Sequence, residues 1–490
     1  MAEVIASLLV DDPHRAQRDA ARAAMTGADW IELRLDRWPI DAPLDELVRA
    51  IQLPVLLSCR VPEDGGAYRG TLEDRRRMFE RGLDAGVRGI DLELEEKWMP
   101  TRDVLVVRSH HDFKGIPDDL HDLRDRLLDA GDVAKIACVA HDLADAVPLF
   151  ELLASSDPER EPTVAFAMGE RASASRILCC ALGSPFTYAS VPGTPETAPG
   201  QISSDLLAGL YHARDLSSST ELAGVLGDPA RHSLGPWLHN RALRAAGRDA
   251  VYLPLETSRP RELLAALPTR RLLGLSVTAP HKESLLGFCH RRTSAAEAVG
   301  AVNTLTQDAH GVWVGHNTDV HGVRAAFERA GLAVEAGDTG CVLGGGGAAR
   351  AAAIALRDLG LEVTILARSL DPIREFANRH GFVVGALRTE RLVERPPKAV
   401  VHATPVGSAA GPSGRLLPDW TPPPGTFVLD MVYRPHETVL LRDVAAAGAV
   451  PIPGIEMFLA QAADQVGAFV GVRPDEAELR NYLAGMGIVG

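Results

Sequence analysis

At 490 residues the chain is too long for one ordinary hydrophobic core, so two to four domains are expected. A hydrophobic share of 46% and a charged share of 24% fit a water-soluble globular protein. The formal net charge of −14 argues against nucleic acid or an anionic membrane as a partner, so anionic small molecules would need local Arg and Lys.

The first apolar run, Val4–Val10, meets Asp11-Asp12 at once and reads as a strand, not a signal peptide. No apolar run reaches the ~18 residues of a membrane span. Cys59, Cys138, Cys179, Cys180, Cys289 and Cys341 form no CxxC pair and no zinc spacing. Cys138 and Cys341 sit in apolar runs, so reduced buried thiols, a cytoplasmic location and no metal are expected.

From residue 1 to about 213, β-rich apolar runs alternate with helix-like segments. The runs are Val4–Val10, Trp30–Leu35, Val55–Cys59, Gly89–Leu94, Val104–Arg108, Val133–Val139, Thr163–Met168 and Phe186–Val191. Helices are predicted at Pro13–Met25, Leu72–Ala85, Leu120–Ala130 and Leu143–Leu153, among others. This pattern predicts an α/β fold of the (β/α)8 TIM-barrel type, with a doubly wound open sheet as the alternative.

In a barrel, chemistry gathers at the C-terminal strand ends. There the sequence offers Glu32, Arg34 and Asp36, then Arg60 and Asp64, then Asp91 and Glu93. Later strands add Ser109-His110-His111-Asp112, Lys135, Arg171, Arg176, Thr197 and Gln201. A closed barrel has no solvated inner face, so charges at alternate strand positions point to function. Lys135 lies inside an apolar run, where desolvation would depress its pKa and leave an amine able to condense with a ketone. A structural ion pair with Asp91 or Glu93 is the alternative. His111 would supply acid/base capacity near neutral pH.

Glu32-Leu33-Arg34-Leu35-Asp36, Ser109-His110-His111-Asp112-Phe113, Ala134-Lys135-Ile136 and Ala198-Pro199-Gly200-Gln201 together resemble type I 3-dehydroquinate dehydratase over nearly all of 1–213. The resemblance implies a barrel in which Lys135 forms an imine with the substrate ketone. His111 would take the α-proton and help water leave, with no cofactor or metal. Arg176 would hold a carboxylate, and Glu32, Arg34, Arg60 and Gln201 the ring hydroxyls. Asp64 stands where the family usually has a Glu that partners the catalytic His. Thr197 replaces a Ser, and Tyr188 replaces a Phe.

Residues 214–221 are polar and Ser-rich and read as a linker. Beyond them, strands are predicted at Leu222–Gly227, Val251–Leu255 and Leu272–Val277, the last delivering Lys282 just past Ala279-Pro280. A strand at Gly340–Gly344, the run Gly344-Gly345-Gly346-Gly347-Ala348, a helix at Ala348–Leu359 and a strand at Glu362–Ala367 form a dinucleotide-binding unit. That second strand ends in Arg368-Ser369, not in an acid. This favours NADP through its 2′-phosphate, while nearby Asp371 leaves NAD open.

Val277–Lys282, Ala301–Thr304, Asn317–Asp319, the glycine run, Ala403–Pro405, Asp430–Pro435 and Gly454–Met457 leading to Gln461 together resemble shikimate dehydrogenase over about 222–485. The resemblance implies a substrate-binding domain at 222–323, a Rossmann domain at 324–455 and a helical segment at 456–490 returning to the substrate domain. Lys282 and Asp319 would be the catalytic pair, with Asp319 and Asn303 on ring hydroxyls. Ser233, Gly235, Thr278, Tyr433 and Gln461 would form the rest of the substrate pocket. Gly344, Gly345, Gly346, Gly347, Ala348, Arg368, Ser369, Thr404, Met431 and Gly454 would line the cofactor site.

Gly235 stands where this family has a second Ser, Ser276 and His402 where it has Asn, and Ser408 where it has Met. Gly235 makes room at the ring carbon where quinate carries an extra hydroxyl, while Thr278 argues against a full change of substrate. The combined expectation is a fused enzyme. It would convert 3-dehydroquinate to 3-dehydroshikimate and reduce that to shikimate with NADPH. A quinate dehydrogenase fusion working in the degradative direction, or one half acting only as a binding scaffold, are the alternatives.

Overall fold

Strands buried on both faces account for the near-continuous apolar runs of the first half. In the computed structural model, which describes residues 2–409 and 411–488, these runs become eight parallel strands. They are β1 (Glu3–Leu9), β2 (Trp30–Arg34), β3 (Val55–Ser58), β4 (Gly89–Glu93), β5 (Leu105–Asp112), β6 (Val133–Val139), β7 (Thr163–Met168) and β8 (Phe186–Ser190). The sheet runs in the order β7-β6-β5-β4-β3-β2-β1-β8 and ends on the short strand β9 (Ile202–Ser203).

No ladder joins β7 to β8 among the described residues, so the curled sheet is not hydrogen-bonded shut as an ideal barrel would be. Side chains satisfy the exposed edge of β7 instead. Ser175 Oγ accepts from the Ala167 amide at 3.0 Å, and Ser184 Oγ donates to the Thr163 carbonyl at 2.9 Å.

Strand alternation sorts the barrel interior into layers. Ile5, Leu56, Val107, Val133, Val164 and Phe186 form an apolar floor. Two residues further along the same strands come Ser7, Ser58, Ser109, Lys135, Phe166 and Tyr188. The outward residues, among them Leu33, Leu57, Ile90 and Leu92, pack in a separate cluster with helix residues such as Phe79 and Leu83.

Helix Pro13–Met25 starts with Asp12 accepting from the Arg15 amide and a Pro in the first turn. Helix Leu72–Ala85 starts on Thr71 and stops at Gly86, whose φ of 102° is left-handed. The helix expected over Leu143–Leu153 is instead a 3₁₀ turn, Leu143–Ala146, followed by an α-helix, Val147–Ser155. Pro148 is the cause. It has no amide hydrogen to continue a helix but suits a first turn.

The described chain divides into two compact units. The first holds residues up to 222 together with 228–231 and 249–271, and so includes β11 (Ala250–Glu256). Asp142 ties 249–271 to the turn after β6. It accepts from the Ser258 amide at 2.7 Å, the Ser258 hydroxyl at 2.8 Å, the Thr257 hydroxyl, and Arg171 at 3.3 Å. Burial acts to raise the pKa of this carboxyl, but the donors outweigh it and hold it at about 2.

The second unit contains most of β10 (Glu221–Gly227), then β12 (Leu272–Val277), β13 (Arg291–Arg292), β14 (Thr304–Gln307) and β15 (Trp313–His316). These lie in the order β10-β12-β14-β15-β13. A second sheet in this unit is all parallel, ordered β18-β17-β16-β19-β20-β21. Its strands are β16 (Thr339–Leu343), β17 (Glu362–Ala367), β18 (Val383–Ala386), β19 (Ala399–His402), β20 (Phe427–Asp430) and β21 (Val450–Pro453). The order turns back at β16/β19, the place where such sheets bind nucleotides at their C-terminal edge. Helix Gly454–Val470 packs Ile455, Phe458, Leu459 and Ala462 against Leu234 and Leu238.

Asp142→Ala is expected to lower stability by about 2 kcal/mol, because charged hydrogen bonds are lost and a buried amide is left without a partner. The carboxyl sits below its ordinary range when folded. Its contribution is therefore complete above the ordinary carboxylate range and fades as the pH falls toward about 2. Urea denaturation of the wild type and variant from neutral pH downward measures both effects.

Candidate active sites

The C-terminal ends of the barrel strands surround a cavity of about 130 Å3. Lys135 lies in it at 3% exposure, with Nζ 2.9 Å from Asp91 Oδ2 and 3.7 Å from the centroid of the Tyr188 ring. The ion pair with Asp91 is thus real, and it does not exclude chemistry, because the amine also faces the cavity. Asp91 accepts from Arg60 Nη2 at 2.7 Å and from Ser109 Oγ at 2.6 Å as well. Glu32 accepts from Ser7 at 2.5 Å and from Ser58 at 2.8 Å.

Burial raises the Asp91 pKa, but Arg60 and Lys135 outweigh it and hold the carboxylate ionised. Burial lowers the pKa of Lys135; Asp91 pulls back up and Arg60 pushes further down, and the net direction is downward. His111 is also buried, and burial with the Arg60 and Lys135 charges puts its pKa well below 6.5. Arg60 Nη1 lies 3.1 Å from His111 Nδ1. A guanidinium only donates, so Nδ1 accepts and the neutral ring carries its proton on Nε2.

At the mouth, Arg34 Nη2 pairs with Asp36 at 2.5 Å and its Nη1 donates to the Thr197 carbonyl at 3.1 Å. Gln201 Oε1 accepts from the Thr197 amide at 2.8 Å and from its hydroxyl at 3.1 Å. Arg176 stacks on Phe166 at 4.2 Å and donates Nε to the Gly200 carbonyl, while Nη2 has no partner. Burial lowers the Arg176 pKa to about 10, so the group still enters neutral solution charged. Asp64 lines the cavity, and burial raises its pKa. Among the described residues no hydrogen bond joins Asp64 to His111. Arg60 holds that ring instead.

In the second unit, Lys282 Nζ lies 2.5 Å from Asp319 Oδ2, at the start of helix Asp319–Arg329. Asn303 Nδ2 donates to Asp319 Oδ1 at 2.8 Å, Thr318 Oγ1 at 2.9 Å and Gln461 Oε1 at 3.1 Å. Its Oδ1 accepts from the Thr318 amide and the Thr304 hydroxyl, both at 2.8 Å. One turn beyond Gln461, Gln465 donates to the Asn303 carbonyl and accepts from Ser276 Oγ at 2.9 Å. Ser233 Oγ accepts from the Gly235 amide at 2.9 Å, and the Thr278 amide donates to Leu226 at 2.9 Å. Tyr433 lies against Ser233 and stacks on Phe458 at 4.7 Å.

Helix Gly347–Asp358 begins at Gly346 with no capping side chain, so its first amides are free to receive an anion. Gly344 has φ 138°, and a Cβ there would come within 2.8 Å of the Ala403 carbonyl. A Cβ on Gly347 would lie 3.3 Å from Lys282 Cβ, which places the loop beside the Lys282–Asp319 pair. Arg368 and Ser369 are exposed just after β17, and Arg368 makes no ion pair among the described residues. A bare helix start with a free guanidinium at the next strand end fits a phosphorylated dinucleotide.

His402, at the end of β19, bonds Asp430 Oδ1 through Nδ1 at 2.8 Å and Thr404 Oγ1 through Nε2 at 2.6 Å. The Asp430 carboxylate also accepts from Thr438 at 2.6 Å. Met431 follows β20, and a Cβ on Gly454 would meet the Asp430 carbonyl at 2.6 Å.

The structure thus brings Glu32, Arg34, Arg60, Asp64, His111, Lys135, Arg176, Thr197 and Gln201 around one cavity, and Lys282, Asn303, Asp319 and Gln461 into one network. Sequence reasoning left out Ser7, Ser58, Thr318, Gln465 and the His402–Asp430 pair as site members. Ser7, alone and polar in an apolar run, and Gln465, four residues after Gln461, were signals available in the sequence.

Residues 4–218 match the family model of the type I 3-dehydroquinase, and residues 225–305 that of the shikimate dehydrogenase substrate binding domain. The bifunctional 3-dehydroquinate dehydratase/shikimate dehydrogenase of Arabidopsis thaliana, a chloroplastic protein, is 31% identical over 96% of this chain and 82% of its own length. The NADP(+) shikimate dehydrogenase of Salinibacter ruber is 41% identical over 51% of this chain and 91% of its own length. Among solved structures, shikimate dehydrogenase from Aquifex aeolicus is 26% identical, covering 54% of this chain and 98% of that one with a TM-score of 0.49. With one relative matched along nearly the whole chain, and family models of both activities matching within it, this chain belongs to the bifunctional 3-dehydroquinate dehydratase/shikimate dehydrogenase family.

Proposed function

We propose that residues 1–213 dehydrate 3-dehydroquinate to 3-dehydroshikimate, and that residues 222–490, joined by the 214–221 linker, reduce 3-dehydroshikimate to shikimate with NADPH. The last two residues of that range lie outside the described ones. The observation that carries the reading is Lys135, a buried amine with lowered pKa beside a neutral, buried His111. Substrate binding at 222–323, cofactor binding at 324–455 and the return of 456–490 to the substrate side are part of the same proposal. Six buried unpaired thiols support a reducing cytoplasm, and no described helix is long and apolar enough to cross a membrane.

In the barrel, the Lys135 amine adds to the ring ketone and water leaves, forming a protonated imine. Arg176, with its unengaged Nη2, holds the substrate carboxylate. Glu32, Arg34, Arg60 and Gln201 hold the ring. When Arg60 turns to a ring hydroxyl, it releases His111 Nδ1, which can then accept the proton from the carbon next to the imine. The electron pair enters the imine, the adjacent C–O bond breaks as His111 returns the proton to the departing hydroxyl, and hydrolysis frees Lys135. Asp64 lines the cavity with its charge facing Arg60, the residue that holds the His111 ring.

In the second unit, Asp319 and Asn303 hold the ring hydroxyls, with Ser233, Thr278, Tyr433 and Gln461 around them. Lys282, paired with Asp319, stabilises the carbonyl oxygen as negative charge develops and governs its proton. The bound NADPH supplies the hydride. Gly344 to Ala348 would hold its pyrophosphate and Arg368 with Ser369 its 2′-phosphate. Thr404, presented by His402, would lie with Met431 and Gly454 on the nicotinamide side. One observation favours a second reading. Gly235 starts its helix where a side-chain hydroxyl was expected, and its lack of a side chain would suit the extra hydroxyl of quinate.

Borohydride with 3-dehydroquinate should add the reduced substrate mass to the Lys135 peptide, and Lys135→Ala should abolish the adduct and lower dehydratase kcat by at least about 10³-fold. An unmodified Lys135 would rule out the imine route. The acid limb of dehydratase kcat/KM should lie below pH 6.5, because His111 stays neutral there. Steady-state oxidation of shikimate and quinate with NADP and NAD should favour shikimate with NADP by about tenfold or more. Comparable quinate turnover would establish the Gly235 reading instead.

A further inference from the structure

Three buried donors on residues lining the barrel cavity meet no protein acceptor among the described residues: Arg34 Nε, Arg176 Nη2 and the Tyr188 hydroxyl. The two Arg side chains are already assigned, Arg34 to the ring and Arg176 to a carboxylate. Tyr188 is 2% exposed and sits on β8, its ring 3.7 Å under Lys135 Nζ and 5.9 Å from the Phe166 ring. The acids nearest its hydroxyl, Asp91 and Glu32, are already engaged. Asp91 accepts from Lys135, Arg60 and Ser109, and Glu32 from Ser7 and Ser58. Burial pushes the phenol well above its ordinary pKa, so it remains a donor. A Phe would give Lys135 the same ring face and pack equally well without a buried unsatisfied hydroxyl. The hydroxyl therefore needs a partner that arrives with the ligand.

We infer that Tyr188 donates its phenolic hydrogen to a ring hydroxyl of the bound substrate, on the carbon next to the one joined to Lys135. This rests on the dehydratase reading above. The ring lies 3.7 Å from the amine that would hold the substrate carbon, and the charged groups that act on the phenol are Asp91, Glu32 and Arg60, the last two already assigned to the ring hydroxyls. Tyr188 is then a specificity-determining group, selecting a ring that carries a hydroxyl beside the ketone.

The test compares the full-length wild type with Tyr188→Phe, on 3-dehydroquinate and on an analogue lacking the hydroxyl beside the ketone. The variant should lose about tenfold in dehydratase kcat/KM on 3-dehydroquinate, mostly through KM, and match the wild type on the analogue. Its dehydrogenase constants should be unchanged, and its thermal midpoint equal or higher, since an unsatisfied buried group is gone. Unchanged kcat/KM on 3-dehydroquinate overturns the inference. So does an equal loss on both compounds, or a loss accompanied by a lower thermal midpoint, which would mean that the hydroxyl supports the fold. A wild type that forms no Lys135 adduct removes the dehydratase reading and this inference together. An active wild type with an indifferent variant removes only the inference.

Discussion

A carboxylate at the centre of a ring of strands has no water to turn to, and the barrel site is built around that constraint. Asp91 stays ionised only because Arg60, Lys135 and Ser109 converge on it. The same shared carboxylate decides the state of Lys135. Asp91 draws the ammonium charge toward itself, while burial and Arg60 oppose that charge, and the balance leaves the amine more easily deprotonated than in water. Removing any one member would leave the others buried without compensation, so the cluster acts as a unit.

The second unit meets a similar need with amides. Asn303 uses both of its side-chain atoms on Thr318, Asp319, Gln461 and Thr304 and thereby fixes the Asp319 carboxylate that pairs with Lys282. Two residues that depart from the expected family pattern are engaged in hydrogen bonds. Ser276 orients Gln465, and His402 bridges Asp430 to Thr404. The bridge aims the Thr404 hydroxyl and consumes the polarity of a buried carboxylate at once.

The two sites differ in how they prepare for a ligand. The barrel cavity keeps donors unspent in Arg176 and Tyr188, whereas Lys282, Asp319, Asn303 and Gln461 are hydrogen-bonded to one another. Such a network holds geometry. Unspent donors lower the stability of the empty site and are satisfied when a ligand supplies the oxygens.

Much of this was legible in the sequence, because the signals were local. Apolar, β-rich runs marked the strands, β6, β7, β12 and β17 to the residue, and the helix-like segments between them included Pro13–Met25 and Leu72–Ala85 with the bounds the structure shows. A Lys inside an apolar strand and a glycine run between strand and helix announced chemistry without any contact being known. Partners were not legible. Asp91 and Glu93 were equivalent candidates for Lys135, and the strand register sets Lys135 level with Ser109 and Glu93, yet the folded side chains put Nζ 2.9 Å from Asp91. Asp64 stood in the place of a His partner, yet the folded loop leaves Arg60 on the His111 ring. Nor did any local pattern reveal that 249–271 joins the compact unit of the barrel through Asp142, or that β7 and β8 do not pair. The sequence by itself determined which segments are strands and helices and which residue types carry the chemistry, since backbone periodicity and residue chemistry are properties of short stretches. The tertiary structure alone decided which charges meet and which donors stay unpaired, because residues tens of positions apart are brought within hydrogen-bonding reach only by strand order, register and burial.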